Sequence, residues 1–254
     1  MDKIFVVTHK APNNHLIDGW EYISVGSNYF NDELNDRSGN SIYERNSEYS
    51  ELTALYWIWK NFTSNPDNFI GIMHYRRFLT GESLINTLLK SKVNAVKIID
   101  HLENYDIIAP IKNRVYPNAY VHYTSEHIGS DLDLAISIAE SNDSVPPGHY
   151  KELILNIKSA HLFNIFITKK SILDSYSNWL FRILFEVETK LDLTTRDAYQ
   201  RRVFGFLSER LFNLWLITNP HLKVKSLPLY FDGYSRFKNW NRNRLCKRDE
   251  KNYL

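Results

Sequence analysis

One cysteine, Cys246, occurs in 254 residues. The chain can therefore close no internal disulfide and build no cysteine-based zinc site, which fits a reducing cytoplasm. It also lacks any apolar run near the ~18 residues that a membrane-spanning helix needs. The first apolar run, Ile4 to Val7, ends in a Thr-His-Lys triplet and is too short for a signal peptide, so a soluble or membrane-peripheral protein is expected. Charge of one sign is scarce. A formal net charge of +2 is too mild by itself for a nucleic-acid partner, because proteins that track phosphates concentrate positive charge on one face. Neither Gly-x-Gly-x-x-Gly nor Gly-x-x-x-x-Gly-Lys-Ser/Thr occurs, which counts against a dinucleotide enzyme and a P-loop phosphotransferase. There is no Gly-x-Ser-x-Gly elbow, and no two histidines stand at His-x-x-x-His spacing, which argues against a zinc hydrolase. Internal repeats and low-complexity tracts are absent too.

What is present is an alternation of short apolar runs and amphipathic stretches. Ile4 to Val7, Phe69 to Met73, Tyr105 to Ala109, His161 to Thr168 and Val224 to Tyr230 predict strands. Helical spacing predicts helices over 50–62, 131–140, 150–157, 172–187 and 197–217, the clearest stripe being Ile172, Leu173, Tyr176, Trp179, Leu180, Ile183, Leu184 and Val187. The Asn-rich stretch 28–48 reads as loop. Strands alternating with helices imply an α/β fold with a mostly parallel central sheet flanked by helices, in which ligands sit beyond the carboxyl ends of the strands.

Polar clusters gather at three of those strand ends: Thr8, His9 and Lys10; His74, Tyr75, Arg76 and Arg77; and the region of Asn164. Such cations and hydrogen-bond donors suit an anionic substrate, a diphosphate above all. Within a strand Arg76 and Arg77 point to opposite sides, so one is expected to reach phosphate and the other to anchor a helix or a carboxylate. An Asp-x-Asp that would hold a divalent ion does not follow a buried strand. Asp131-Leu-Asp133 follows Ser130 at a helix start, where capping and the helix dipole account for it. His122 and His127, beside Glu126, read as acceptor-loop or pocket residues. Glu209 interrupts an apolar helix pattern, and partial burial there would raise its pKa and suit it to accept a proton. It ranks above Asp131 as catalytic base. Glu51 reads as a structural charge at a helix start.

The segments Phe5–Lys10 (FVVTHK), Glu51–Asn61 (ELTALYWIWKN), Gly71–Phe78 (GIMHYRRF), Phe163–Ile167 (FNIFI) and Arg201–Leu211, in this order, resemble glycosyltransferase family 111, formerly a domain of unknown function numbered 4422. The resemblance runs from about Lys3 to Tyr230. It implies a GT-A-like nucleotide-diphosphosugar transferase fold and inverting transfer of galactofuranose from UDP-galactofuranose to an undecaprenyl-diphosphate-linked glycan acceptor, as in bacterial capsule, exopolysaccharide or O-antigen synthesis. On this reading Thr8, His9, Lys10, His74, Tyr75, Arg76 and Arg77 bind the nucleotide sugar, His122, His127 and Asn164 the acceptor. No cofactor is required by the residues, and a divalent cation, Mg or Mn, stays open. Residues 1–232 form the transferase domain. Residues 233–254 form a basic aromatic tail in which Arg236, Lys238, Arg242, Arg244, Lys247, Arg248 and Lys251 mix with Tyr234, Phe237, Trp240 and Leu245. Such a tail suits an anionic membrane surface and places the protein on the inner face of the plasma membrane. The rival readings are a transferase with a UDP-pyranose donor and a non-catalytic glycan- or nucleotide-binding module.

Overall fold

In the computed structural model, which describes residues 2–11, 19–26, 34–81, 83–85 and 102–252, the first β-branched run forms β1 (Lys3–Thr8), buried from Ile4 onward. That is what a strand covered on both faces requires. It lies between two parallel neighbours, β2 (Trp20–Ser24), where Ile4 faces Trp20, and β3 (Phe69–His74), where Val7 faces His74. β2 contains Glu21 and Tyr22 and so lacks the continuous apolar run that announces β1 and β3. Gly71 lets these strands sit together: a Cβ there would stand 2.9 Å from side-chain atoms of both Ile4 and Ile167.

β3 turns back through Tyr75 and Arg76 into β4 (Arg77–Leu79), and β4 pairs with β10 (Leu229–Phe231). On its other flank β3 pairs with β8 (Phe166–Lys169), followed by β5 (Ile107–Pro110) and β9 (Val224–Leu227). Most paired positions are parallel, but β8 runs antiparallel to both β3 and β5. This reversal has a consequence for the site. Ile72 faces Phe166, so the residues preceding β8, Asn164 among them, arrive at the edge where β1 and β3 end. A small ribbon of β6 (Asn113–Arg114) and β7 (Ser159–Ala160) lies apart from the main sheet.

The helices are α1 (Asn46–Tyr49), α2 (Leu52–Asn61), α3 (Ala119–Thr124), α4 (Gly129–Asn142), α5 (His149–Asn156), α6 (Lys170–Glu188), α7 (Val203–Thr218) and α8 (Arg236–Asn252). The apolar face of α6 is buried from Leu173 to Val187. α7 is buried on nearly every side, polar Ser208, Arg210 and Asn213 included. Alternate residues of β1 feed separate cores, Phe5 and Val7 the larger one shared with these helices, Ile4 and Val6 a smaller one on the other face.

Four expectations change. The polar stretch 28–48 contains a 3₁₀ turn, Tyr43–Arg45, and α1, while its residues 28–33 lie outside the described residues. The strand expected over 161–168 begins only at Phe166, because Phe163 and Asn164 take left-handed backbone angles, φ 82° and 50°. The final strand splits at Pro228 into β9 and β10, which pair with β5 and β4 respectively. The tail is α8, docked on the free edge of β10. Asn239 and Asn243, one helical turn apart and buried, each both accept from and donate to that strand: Asn239 with Phe231 (2.7 and 3.0 Å) and Asn243 with Leu229 (2.9 and 2.8 Å). Side-chain amides thus pair backbone groups that an exposed edge would leave open.

Candidate functional site

Where β1 and β3 end, a cleft of about 450 Å³ opens between them, α1 and the start of α7. Thr8, His9, His74, Tyr75, Arg76 and Arg77 line it, together with Asn46, Ser50, Glu51 and Arg202. Lys10 follows His9 in the chain and is not itself a lining residue; burial and the charges of Lys10, Arg76 and Arg202 all push the His9 pKa down. Arg202 belongs to a 3₁₀ turn and is the N-cap of α7. A cation there opposes the helix dipole, which points to an anion as its natural partner. Its Nε donates to Ser50 Oγ at 3.0 Å.

The floor is His74. Burial holds its pKa at about 4, with Arg77 and Arg202 adding to the depression and Glu51 opposing it, so the ring is neutral at pH 7. Arg77 Nη1 lies 3.4 Å from His74 Nδ1. A guanidinium can only donate, which makes Nδ1 the acceptor and leaves the proton on Nε2. That Nε2–H is buried with no partner, and so is the Tyr75 hydroxyl. An orphaned buried polar group costs about 1–3 kcal/mol, and two beside one cleft mark where a ligand would supply hydrogen bonds.

Glu51 is the carboxylate that lines this cleft. It accepts from Asn164 Nδ2 at 2.7 Å, and Asn164 is fixed in turn by Ser208 Oγ (2.9 Å) and the Gly205 carbonyl (3.2 Å). Glu209 sits behind it. One of its oxygens accepts the Phe163 N–H at 2.8 Å, the other faces Arg210 Nη1 at 3.4 Å. Burial raises its pKa, while Arg210 and the Phe163 N–H work against that rise. Arg77 stands in the field of both carboxylates, over the rings of Phe163 (4.6 Å) and Phe231 (5.7 Å). Arg76 is exposed toward the cleft and Arg77 is turned inward. Two successive non-glycine residues in the left-handed region cost of order 1–3 kcal/mol each and persist only where surroundings hold them; here Glu209 and the Asn164 network do so.

The remaining candidates lie elsewhere. Asp131 is buried in a bidentate pair with Arg196 (2.5 and 2.8 Å), which removes it as a base: both oxygens are engaged and neither faces the cleft. His122 Nδ1 accepts from Arg210 Nη2 at 2.9 Å, and His127 stacks on Phe206 at 3.9 Å; neither lines the cleft. A second cavity, about 550 Å³, is lined by Lys112, Lys158, His161, Asn156, Asn213, two serines and aliphatic side chains, without a carboxylate, so its lining supplies no proton acceptor of that kind. Among the described residues no group of three His, Cys, Asp or Glu side chains could hold a metal ion. Among the described residues Glu51 is the one carboxylate that lines the cleft.

His161 is buried and His74 is half-buried with its Nε2 shielded from water, and desolvation holds both at about pKa 4, against an ordinary 6.5. The folded state therefore resists protonation that the unfolded chain accepts. This contribution to stability is complete above pH 6.5 and is lost as pH falls toward 4. The unfolding free energy, followed through the denaturant midpoint, should drop by on the order of 2 kcal/mol per pH unit across that window. A midpoint constant from pH 7 to 4.5 contradicts the assignment of neutral histidines.

Comparison with known proteins bears on family and fold. The family described as Domain of unknown function (DUF4422) matches residues 3–220. No curated protein matches the chain. The apo structure of the bifunctional glycosyltransferase WbbM is similar, with a TM-score of 0.78 and 28% identity over 92% of this chain, which spans 45% of that one.

Proposed function

The chain belongs to the DUF4422 family, and from that premise we propose that it is a glycosyltransferase. Its reaction would be inverting transfer of galactofuranose from UDP-galactofuranose to an undecaprenyl-diphosphate-linked glycan. The observation that carries the proposal is the convergence of Arg76 and Arg202, with the charge of Lys10 acting on the neighbouring His9, on a cleft walled by Glu51 and floored by the His74 Nε2–H. The glycosyltransferase likeness of WbbM supports the reaction class. The galactofuranose donor and the lipid-linked acceptor rest on the sequence resemblance.

In this mechanism Glu51 takes the proton of the acceptor hydroxyl as that oxygen attacks the anomeric carbon. The bond from that carbon to the diphosphate oxygen breaks, and UDP leaves with the electron pair. Arg76, Arg202 and Lys10 offset the charge that develops on it, a role that needs positive partners and not necessarily a metal. Attack from the face opposite the leaving group inverts the configuration. Glu209, placed as catalytic base by sequence, has its oxygens committed to Phe163 and Arg210, and its role becomes that of holding the loop under Glu51.

No helix among the described residues is long and apolar enough to cross a membrane. Contact with anionic lipid would fall to the outer face of α8, where Phe237 is 68% exposed beside exposed Lys238, Arg244, Lys247 and Arg248. The test is one assay: purified chain, UDP-galactofuranose and a lipid-linked glycan in anionic or neutral vesicles, with and without chelator. Expected are UDP release with an inverted product, indifference to chelator, and faster turnover on anionic vesicles. Equal rates with UDP-galactopyranose would replace the donor assignment, and absence of UDP release with either donor would remove the transferase reading.

A further inference from the structure

The family match ends at residue 220, before α8 begins. We infer that α8 is nevertheless part of the working site: its Arg242 is a positioning residue that, by stacking on Phe163 and Phe231, holds the loop from which Asn164 orients Glu51. The functional half of this inference rests on the transferase reading above.

The contacts form an unbroken path. Asn239 and Asn243 fasten α8 to β10 at Phe231 and Leu229. That docking sets the guanidinium of Arg242 4.3 Å from the centroid of the Phe231 ring and 5.4 Å from that of Phe163. The two rings meet edge to face at 5.5 Å. Arg77 lies over the same rings, so the Phe163 side chain is caught between two cations and an aromatic edge. Phe163 is also the first of the two left-handed residues. Its N–H is tied to Glu209, and the next residue, Asn164, holds Glu51. Arg242 is itself anchored through a hydrogen bond to Asn113 Oδ1, just beyond β5.

A guanidinium stacked on rings is a planar fit that a flexible ammonium does not reproduce. Loss of this contact removes one of the restraints that keep Phe163 and Asn164 in an unfavoured backbone conformation. The loop can then relax, and Glu51 loses its fixed direction while Arg76, Arg202 and Lys10 keep theirs. Chemistry should suffer and donor binding should not.

The test uses the full chain with Arg242→Met, Arg242→Lys, the undocking double variant Asn239→Ala/Asn243→Ala, and Lys190→Met, at an exposed cation beyond α6, as a control. Turnover per folded molecule should fall about 10–100-fold in Arg242→Met and in the double variant. The donor KM should stay within about threefold, and Arg242→Lys should fall between Met and the parent chain. Hydrogen exchange over residues 161–167 supplies a readout independent of activity. The Phe163 amide should exchange about tenfold faster in Arg242→Met and unchanged in Lys190→Met. If the parent chain releases no UDP, the transferase reading fails while the exchange result still decides whether Arg242 holds the loop. Unchanged exchange at Phe163, or turnover in Arg242→Met within about twofold of the parent, overturns the inference.

Discussion

Glu51→Gln is expected to lower transfer by about 10³-fold while leaving UDP binding intact. Glutamine preserves the size of the side chain, and its carbonyl can still accept from Asn164 Nδ2, the contact that measures 2.7 Å in the native chain. What it cannot do is take a proton. The loss should therefore appear in kcat with donor KM nearly unchanged, the mark of a group whose interaction is made in the transition state. Glu209→Gln makes a useful contrast. Its side chain holds the Phe163 N–H and lies beside Arg210, so substitution should loosen the loop and reduce activity less than Glu51→Gln does. Pre-steady-state UDP release in the two variants separates them. A Glu51→Gln chain with near-parental turnover would return the base assignment to Glu209.

Asp131→Ala should cost about 3–5 kcal/mol of stability, because it strands Arg196 in a setting built for a bidentate carboxylate. Asp131 is 1% exposed, and the Arg196 side chain is 10% exposed, so water cannot replace the lost partner. The pair links the first turn of α4 to the segment ahead of α7, and its loss should lower the whole cooperative transition. Removing both partners in Asp131→Ala/Arg196→Met should recover part of the loss, since no uncompensated charge remains. Guanidinium titration gives the stability, and turnover corrected for folded fraction gives the function. Specific activity near the parental value is expected. A thousandfold loss of specific activity in folded protein would restore Asp131 as a catalytic candidate.

Some of this was readable from sequence for a definite reason. β1 and β3 are continuous apolar runs that end abruptly in polar residues, and a buried parallel strand leaves that signature. Thr8 through Lys10 and His74 through Arg77 could accordingly be placed at one edge of a sheet. Asn164 was assigned to the same edge as the end of a strand, but it reaches it ahead of one, because β8 runs antiparallel to its neighbours. Strand direction is a tertiary property that periodicity does not carry. Glu51 was masked by its own position, since a carboxylate at a helix start has a sufficient local explanation in the helix dipole. Arg202 had the opposite signal, a cation where the dipole disfavours one, and that mismatch could have identified it. In the tail, composition showed a mix of basic and aromatic residues suited to an anionic membrane surface, with no sign of what the segment packs on. Its decisive feature is instead the spacing of Asn239 and Asn243, which acquires meaning only when the open edge of β10 is beside it.

In the proposed function Arg76 and Arg202, with Lys10 nearby in the chain, grip a nucleoside diphosphate at the ends of β1 and β3. Calorimetric titration of UDP into the parent chain and into Arg202→Ala tests this most directly. Saturable 1:1 binding is expected, weakening as salt rises and falling at least about tenfold in affinity without Arg202. No UDP binding by the parent chain, or equal affinity in the two proteins, would contradict it.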